Sequence, residues 1–141
     1  MKYKELTPIL MVEDVNETVD YYASLLGFQF AKAVVSGTTE LVFRREEGQR
    51  YDYAMMKRDG VEIMFQAQKS ISADIPALEG LAVMASLLLY IKVTDARQLY
   101  DAISDKAIVI KPLTTTFYGR DEFFIKDCNG YILGFASSVP S

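Results

Sequence analysis

Histidine is absent from this 141-residue chain, and cysteine occurs once, as Cys128. Histidine is the commonest protein ligand of catalytic transition metals and the usual acid–base group near neutral pH. Any mechanism of this protein must therefore work without it. A single cysteine excludes an internal disulfide and a multi-cysteine metal site, and its neighbours Asp127, Asn129 and Gly130 predict that it occupies a turn.

Long apolar runs and an excess of basic residues are also missing. No apolar run approaches the roughly 20 residues that a membrane-spanning helix needs, and the N-terminal MKYKELTP lacks the charged start and apolar core of a signal peptide. The chain has 15 Lys and Arg residues against 19 Asp and Glu residues, a net charge of −4. This balance disfavours nucleic acid and favours a cation. We therefore expect a cytoplasmic protein that binds neither membranes nor nucleic acid.

A local pattern that is present occurs twice, in PILMVEDVNETVDYYASLLGF (8–28) and LLLYIKVTDARQLYDAISDKA (87–107). In each stretch an apolar run ends in an aspartate, Asp14 or Asp95, and an amphipathic segment follows. Glu17 or Gln98 comes three residues after the aspartate, as in a capping box. The pattern predicts a strand followed by an N-capped helix in both places.

Strands are predicted after each helix. In the first half these are residues 28–35 and a hairpin that turns at Asp59-Gly60, separated by the mixed-charge segment 44–48, which we interpret as a solvated loop. The second half ends in the hairpin FFIKDCNGYILGF. The sequence thus predicts a single α+β domain made of two βαβββ halves, about 1–68 and 86–141, with a connecting segment 69–85 that has room for one short helix.

Alternation along the predicted strands separates two faces. One set of side chains is uniformly apolar, as expected for the face that packs on a helix, whereas the other set mixes polar, small and flexible residues. We interpret the mixed set as the lining of a hollow shared by both halves, with Tyr118 and Phe124 as flat walls. The predicted ligand-binding residues are Thr7, Ile9, Met11, Glu62, Met64, Gln66, Leu88, Tyr90, Lys92, Tyr118, Phe124 and Gly134.

Two motifs carry a resemblance to a known family. ILMVEDVNETVDYYASLLGF places an aspartate before a helix that ends in Leu-Gly-Phe, and EFFIKDCNGYILGFA is similar to an Asp-Pro-Asp/Asn-Gly hairpin with cysteine in place of proline. Over nearly its whole length the chain resembles the glyoxalase, bleomycin-resistance and extradiol-dioxygenase superfamily, also called vicinal oxygen chelate proteins. The resemblance implies paired βαβββ repeats that form a cup-shaped mixed sheet.

The same resemblance implies where metal ligands would stand. The matching positions hold Thr7, Leu88, Gly134 and either Met64 or, if that strand is shifted by two residues, Glu62. These residues cannot supply the usual His/Glu set, so we expect no metal and no cofactor. Gly134 leaves room for a ligand, relieves a bulge, or makes space for Met64 or Tyr90.

Function is predicted from the residues and the resemblance together. We expect a metal-independent small-molecule binding protein that resembles bleomycin-resistance proteins, forms a homodimer, and sequesters a partly aromatic ligand, for which a cationic group would suit the acidic balance. One alternative is an interaction or structural subunit whose cup is filled by its own side chains. The other is a diverged lyase or dioxygenase-type enzyme of the same superfamily. Its acid–base group would be Glu62, with Lys92 as an ion-pair partner or an electrophile. The simpler interpretation is that Glu62 and Lys92 point to solvent or form an ordinary ion pair, and we assign no catalytic residue.

Overall fold

The computed structural model describes residues 1–83 and 86–139. The chain divides into two compact units, Met1–Val83 and Met84–Ser141. Each unit contains one mixed β-sheet with a helix against one of its faces, so the predicted α+β class is confirmed. Among the described residues, no helix combines the length and the apolar character that crossing a membrane requires.

The first unit contains a five-stranded sheet. Its elements, in chain order, are β1 (Ile9–Val12), α1 (Val15–Ser24), β2 (Gln29–Val35), β3 (Leu41–Val42), β4 (Tyr51–Arg58), β5 (Val61–Ala67) and α2 (Gln68–Asp74), followed by a 3-10 turn, Pro76–Leu78. The strand order is β1-β5-β4-β2-β3, with β1 parallel to β5 and the other neighbours antiparallel. The two-residue β3 is one strand more than the predicted βαβββ, and α2 is the short helix expected in the connecting segment.

Helix α1 begins and ends where the sequence predicts. The Asp14 carboxylate accepts a hydrogen bond from the Glu17 backbone N–H at 3.0 Å, which satisfies a donor of the first turn. Gly27 lies just past the helix with φ +71°, a backbone conformation that residues with side chains rarely adopt. There the Arg58 guanidinium donates to the Leu26 carbonyl. The helix end is therefore fixed by a glycine and by a long-range cap from β4.

The core of the first unit lies between α1 and the sheet. Tyr22 is fully buried, and its ring centroid lies 4.7 Å from that of Phe65 and 5.7 Å from that of Phe28. Val15 and Val19, on the same side of α1, are also buried. Burial of each such side chain stabilises the fold by about 1.5–3 kcal/mol. The face of the sheet opposite α1 lies outside this core.

The second unit contains a four-stranded sheet built from the second copy of the pattern. Its elements are β6 (Leu88–Lys92), α3 (Ala96–Ile103), β7 (Ile108–Thr115), β8 (Arg120–Lys126) and β9 (Ile132–Ser138), in the strand order β6-β9-β8-β7. Asp95 caps α3 by accepting from the Gln98 N–H at 3.0 Å. Against α3, the buried rings of Phe123 and Phe135 stack at 5.3 Å.

Both predicted hairpins form. Strands β4 and β5 are joined at Asp59-Gly60, and β8 and β9 at residues 127–131. In the second turn the Asp127 carboxylate oxygen Oδ1 accepts from the N–H groups of Asn129 and Tyr131, each at 2.8 Å. Such a bond from a side chain to the backbone two residues on is the usual way in which an aspartate shapes a turn. Cys128 lies in this turn, as predicted, and is exposed.

Candidate functional site

The face of the first sheet opposite α1 brings together most of the residues predicted there. Ile9 pairs with Met64, and Met11 pairs with Gln66. Glu62 follows the same alternation along β5. Thr7 precedes β1 and is half-buried, next to a proline whose carbonyl accepts from the Met64 N–H at 3.0 Å. The strand register therefore gathers this half of the predicted set on one face.

Polar side chains on this face are already engaged. Glu62 Oε1 lies 3.2 Å from Lys57 Nζ, in the same hairpin, so its ion pair is with Lys57 rather than with the Lys92 considered from the sequence. Gln66 Nε2 donates to Ser70 Oγ at 3.0 Å and to Asp74 Oδ2 at 2.8 Å. These bonds tie α2 to the end of β5. The polar groups of this face thus serve packing within the unit.

The face of the second sheet opposite α3 holds the other half of the predicted set. Leu88 pairs with Ile132, and Lys92 with Ala136. Gly134 lies between Tyr90 on one side and Phe124 on the other. Lys92 is exposed at the end of β6. Tyr118 lies in the turn between β7 and β8 and reaches this face through a hydrogen bond described below.

The two units use equivalent registers, which settles the position left open near Met64. Ile9 and Tyr90 each stand five residues before the aspartate that caps the following helix, and Met64 and Gly134 each stand four residues after the hairpin glycine. The structure pairs Ile9 with Met64 and Tyr90 with Gly134. Met64, and not Glu62, is therefore the counterpart of Gly134.

Gly134 is explained by Phe124, which is a correction to the sequence analysis. A Cβ atom at position 134 would collide with Cε2 of the Phe124 ring and lie 2.8 Å from Cδ2. The pairings of β9 with β6 and β8 run without a register shift, so the bulge interpretation is wrong. Nor is the space left for Tyr90, because the Phe124 ring fills it. A ligand on this face would meet the ring rather than the glycine backbone.

A buried carboxylate stands at the centre of this face. Glu122 is 3% exposed, and both of its oxygens accept from phenols: Oε2 from Tyr90 Oη at 2.7 Å and Oε1 from Tyr118 Oη at 2.8 Å. We call these three residues the Tyr90–Glu122–Tyr118 cluster. Within residues 1–83 and 86–139, the ion pairs do not include Glu122. Its negative charge is thus hydrogen-bonded by neutral groups and not neutralised by a paired cation.

The electrostatics of the two phenols follow from this arrangement. The hydrogen bond to Glu122 raises the pKa of Tyr90 to about 12, and burial and the charge of Glu122 act in the same direction. The pKa of Tyr118 is also raised, again chiefly by its hydrogen bond to Glu122. The reason is that removing the proton would leave two negative charges in contact. Both phenols therefore keep their protons at neutral pH.

Aromatic rings and two cations surround the cluster. The Tyr90 and Phe124 centroids lie 6.4 Å apart, and Lys111 Nζ lies 6.0 Å from the Phe124 centroid. The positive charge of Arg120 acts on both tyrosines. Tyr90 is 44% and Tyr118 54% exposed. The cluster therefore presents half-exposed aromatic groups above a buried negative charge.

Glu122 was missed in the sequence analysis, although a signal was present. The alternation that assigns Phe124 to the ligand-binding face assigns Glu122, two residues earlier in β8, to the same face. It is also the only glutamate after Gly80. An acidic residue within a strand that carries three large apolar side chains has to be paired or hydrogen-bonded if it is buried, so Glu122 could have been named as a candidate.

The donor set at the positions that the resemblance assigns to metal ligands does not fit a transition metal. Of Thr7, Met64, Leu88 and Gly134, Leu88 and Gly134 carry no donor atom in a side chain, and Thr7 offers a hydroxyl and Met64 a thioether. A zinc or iron site takes its ligands from imidazole, thiolate and carboxylate groups. Among the described residues, no three His, Cys, Asp or Glu side chains are grouped closely enough to hold a metal ion.

A hollow of about 460 Å³ lies between α1 and the loop that precedes β4. It is polar, and its charged groups are largely engaged with each other: Arg45 pairs with Asp20 at 2.6 Å, and Arg50 with Asp14 at 3.0 Å. Asn16 bonds the backbone on the loop side. These ion pairs and hydrogen bonds hold the loop against α1. The mixed-charge segment 44–48 is exposed to solvent, as the sequence predicts.

Comparisons with known proteins agree with this architecture. A glyoxalase/bleomycin resistance protein/dioxygenase from Nocardioides is 12% identical, with a TM-score of 0.71 over 100% of this chain and 87% of that one. The bleomycin-binding protein of Streptomyces verticillus, solved with copper(II)-bleomycin, is 20% identical, with a TM-score of 0.59 over 100% and 99%. A protein of unknown function from Agrobacterium tumefaciens is 17% identical, with a TM-score of 0.70 over 99% and 97%. At these identities the likeness is one of fold.

Sequence comparison identifies the family directly. None of the curated proteins matches this chain. The family model of the Glyoxalase/Bleomycin resistance protein/Dioxygenase superfamily matches residues 5–135, which is nearly the full length and includes both motifs singled out above except for the last residue of the second. The chain therefore belongs to the glyoxalase/bleomycin resistance protein/dioxygenase superfamily.

Proposed function

We propose that this protein binds a partly aromatic, cationic small molecule without a metal, on the face of the second sheet opposite α3, and acts by sequestering it. The observation that carries the proposal is the Glu122 carboxylate, buried beneath two half-exposed tyrosines and outside every ion pair of the described residues. A cationic ligand supplies the positive charge opposite Glu122 that the two neutral phenols lack.

The energetics favour a cation at this place. A carboxylate removed from water is costly unless it is hydrogen-bonded, and two phenols meet that need without cancelling its charge. Attraction between the remaining charge and a ligand cation is stronger in a partly desolvated site than in water. Aromatic faces add about 0.5–2 kcal/mol when a cation lies over them. The half-exposed ring of Tyr90 is available for such a contact, whereas Lys111 Nζ already lies 6.0 Å from the Phe124 centroid.

The family relationship supports binding rather than metal chemistry. The bleomycin-binding protein of Streptomyces verticillus was solved with copper(II)-bleomycin, so a protein of this fold can bind an organic ligand. The residues at the superfamily's metal positions in this chain are unsuited to a transition metal. We therefore assign no metal, no cofactor and no catalytic residue.

The proposal is tested by thermal unfolding of protein dialysed against EDTA. Benzamidine is aromatic, planar and positively charged, and benzamide is its neutral counterpart of nearly the same shape. Benzamidine is expected to raise Tm in a concentration-dependent way, since a ligand that binds only the folded state stabilises it by mass action. Benzamide is expected to raise Tm much less. Bleomycin, with and without copper(II), extends the comparison to a family ligand.

Variants locate the effect. Glu122→Gln should abolish the preference for benzamidine over benzamide, whereas Glu79→Gln, which removes one exposed negative charge from the first unit, should leave the preference unchanged. Equal binding of the two compounds by the wild-type protein would contradict the proposal. So would binding that appears only after zinc, iron or nickel is added, because that result would favour a metal-dependent enzyme.

We also propose that the protein is a homodimer whose copies meet near this site. The second unit exposes large apolar side chains, among them Leu88, Ile108 and Ile110 on the sheet and the fully exposed Phe117 in the β7–β8 turn. Exposed apolar groups in one region commonly mark an association surface. Light scattering coupled to size exclusion should give the mass of two chains, and Phe117→Ser should shift it toward one. A monomer at high micromolar concentration would contradict this part of the proposal.

A further inference from the structure

The phenol oxygens of the cluster can only accept hydrogen bonds from a ligand. A tyrosine hydroxyl has one donor hydrogen and two acceptor lone pairs. Tyr90 and Tyr118 each direct their hydrogen to a Glu122 oxygen, at 2.7 and 2.8 Å. Their remaining capacity on the solvent side is therefore acceptor capacity. The raised pKa values of the phenols agree, because each is held in its protonated, inward-donating form.

This polarity distinguishes two kinds of organic cation. From it we propose that the cluster selects cations that carry N–H groups, such as amidinium, guanidinium or primary ammonium, over quaternary ammonium groups. The inference rests on the proposed function, since it names the ligand class for the same site. A phenol that donates to an anion is polarised, and its oxygen becomes a stronger acceptor. A quaternary ammonium group would cover that oxygen without offering a hydrogen, so a polar group would be buried without a partner.

The two tyrosines are not equivalent acceptors. The hydroxyl of Thr116 also hydrogen bonds Tyr118, which partly offsets the larger effect of Glu122 on that phenol. For Tyr90, Glu122 is the one side-chain hydrogen-bond partner among the described residues. More of the acceptor capacity at Tyr90 is thus open to a ligand. The inference therefore names Tyr90 as the main contact and Tyr118 as the weaker one.

Neighbouring charges set the direction from which a cation can approach. Lys111 lies by the ring of Phe124, and Arg120 lies at the start of β8 and acts on both phenols. Both are cationic and disfavour a ligand cation placed against them. Lys92, exposed two residues from Tyr90 on the same face of β6, is a third such charge. A ligand cation is therefore expected over the Tyr90 oxygen and away from the ends of these three side chains.

The test compares three probes by titration of ¹⁵N-labelled full-length protein, followed through backbone amide shifts in β6 and β8. Benzamidine carries charge and N–H donors, benzyltrimethylammonium carries charge alone, and benzamide carries donors alone. For the wild-type protein, the Kd of benzamidine should be at least about tenfold lower than that of benzyltrimethylammonium, the factor that a hydrogen bond to a charged group typically contributes. Benzamide should bind more weakly than benzamidine.

Variants separate the hydrogen bond from the charge. Tyr90→Phe keeps the ring and the Glu122 charge but removes the oxygen, so the ratio between benzamidine and benzyltrimethylammonium should fall toward one. Tyr118→Phe should lower it less. Tyr3→Phe changes an exposed tyrosine of the N-terminal segment and should leave the ratio unchanged. Amide spectra of each variant report folding independently of binding.

The possible outcomes distinguish failure of the N–H selectivity from failure of the proposed cation binding. If benzamidine and benzyltrimethylammonium bind the wild type equally well and benzamide does not, the inference is wrong and the proposed function stands. If Tyr90→Phe keeps or increases the wild-type ratio, the inference is also wrong. If no charged probe perturbs β6 or β8, the proposed function and the inference fail together.

Discussion

Replacing Gly134 by alanine tests why this strand has no side chain at its centre. The new methyl group would collide with Phe124 Cε2 and lie 2.8 and 3.1 Å from Cδ2 and Cζ, whereas carbon atoms ordinarily meet at about 3.5–4.0 Å. Phe124 must therefore move by several tenths of an ångström or more. Overpacking of this kind costs about 1–3 kcal/mol, and the half-buried ring keeps the cost near the middle of that range, about 2 kcal/mol.

A second effect opposes the collision. Glycine within a strand loses more conformational freedom on folding than alanine, which is worth about 0.5–1 kcal/mol in favour of the substitution. The net expectation is that Gly134→Ala lowers the free energy of unfolding by about 1 kcal/mol. For a chain of this size, that corresponds to a fall in Tm of about 3–4 °C.

The assay is urea unfolding followed by far-UV circular dichroism, with two matched controls. In Phe124→Leu the obstructing ring is gone, so a further Gly134→Ala change should be neutral or stabilising by about 0.5 kcal/mol. Gly60→Ala adds a methyl group at a position with no heavy atom within 4 Å and should change stability by less than about 0.5 kcal/mol. The packing argument is refuted if Gly134→Ala is at least as stable as the wild type, or if it costs the same with and without the Phe124 ring.

Three other perturbations have definite expected outcomes. The hydrogen bond from the Glu17 N–H lowers the pKa of Asp14 below its ordinary value of 3.8. The stability that the Asp14 carboxylate contributes is therefore present above pH 3.8 and lost as the pH falls through the lowered pKa. Asp14→Ala should be about 1 kcal/mol less stable near neutral pH and should lack this acid-dependent loss of stability in acid unfolding. The pKa of Tyr90 is raised to about 12 by its bond to Glu122, so the stability that this bond contributes is complete below pH 10 and lost between pH 10 and 12. In an alkaline titration followed by absorbance at 295 nm, Tyr90→Phe should lack the phenol that titrates last. An unchanged titration would contradict the assignment. Glu62→Gln breaks only a partly exposed ion pair and should cost less than about 1 kcal/mol in urea unfolding without altering the preference for benzamidine.

Local signals in the sequence were sufficient for the elements of the fold. Asp14 and Asp95 each precede an amphipathic segment by one position and cap the helix that forms, since an N-cap depends on residues within one turn. The Asp59-Gly60 turn fixes its hairpin in the same way. The face assignments along β1, β5, β6 and β9 agree with the strand registers, because side chains alternate strictly along any strand.

Contacts between strands were beyond the reach of the sequence. Alternation indicates which side of a sheet Glu122 lies on, but not that phenols from β6 and from the β7–β8 turn meet its two oxygens. The partner of Glu62 likewise depended on the register of one hairpin, which brings Lys57 to 3.2 Å.

By itself, the sequence determined the duplicated strand–helix pattern, the helix starts, the turns and the superfamily, because each depends on neighbours in the chain or on a motif. Only the tertiary structure decided that the space at Gly134 belongs to Phe124 and that a carboxylate is buried beneath two tyrosines. The physical reason is that ring packing and charge burial are set by distances between residues far apart in sequence. Those distances follow from how strands are ordered and registered in a sheet, and a side-chain pattern along one strand does not contain them.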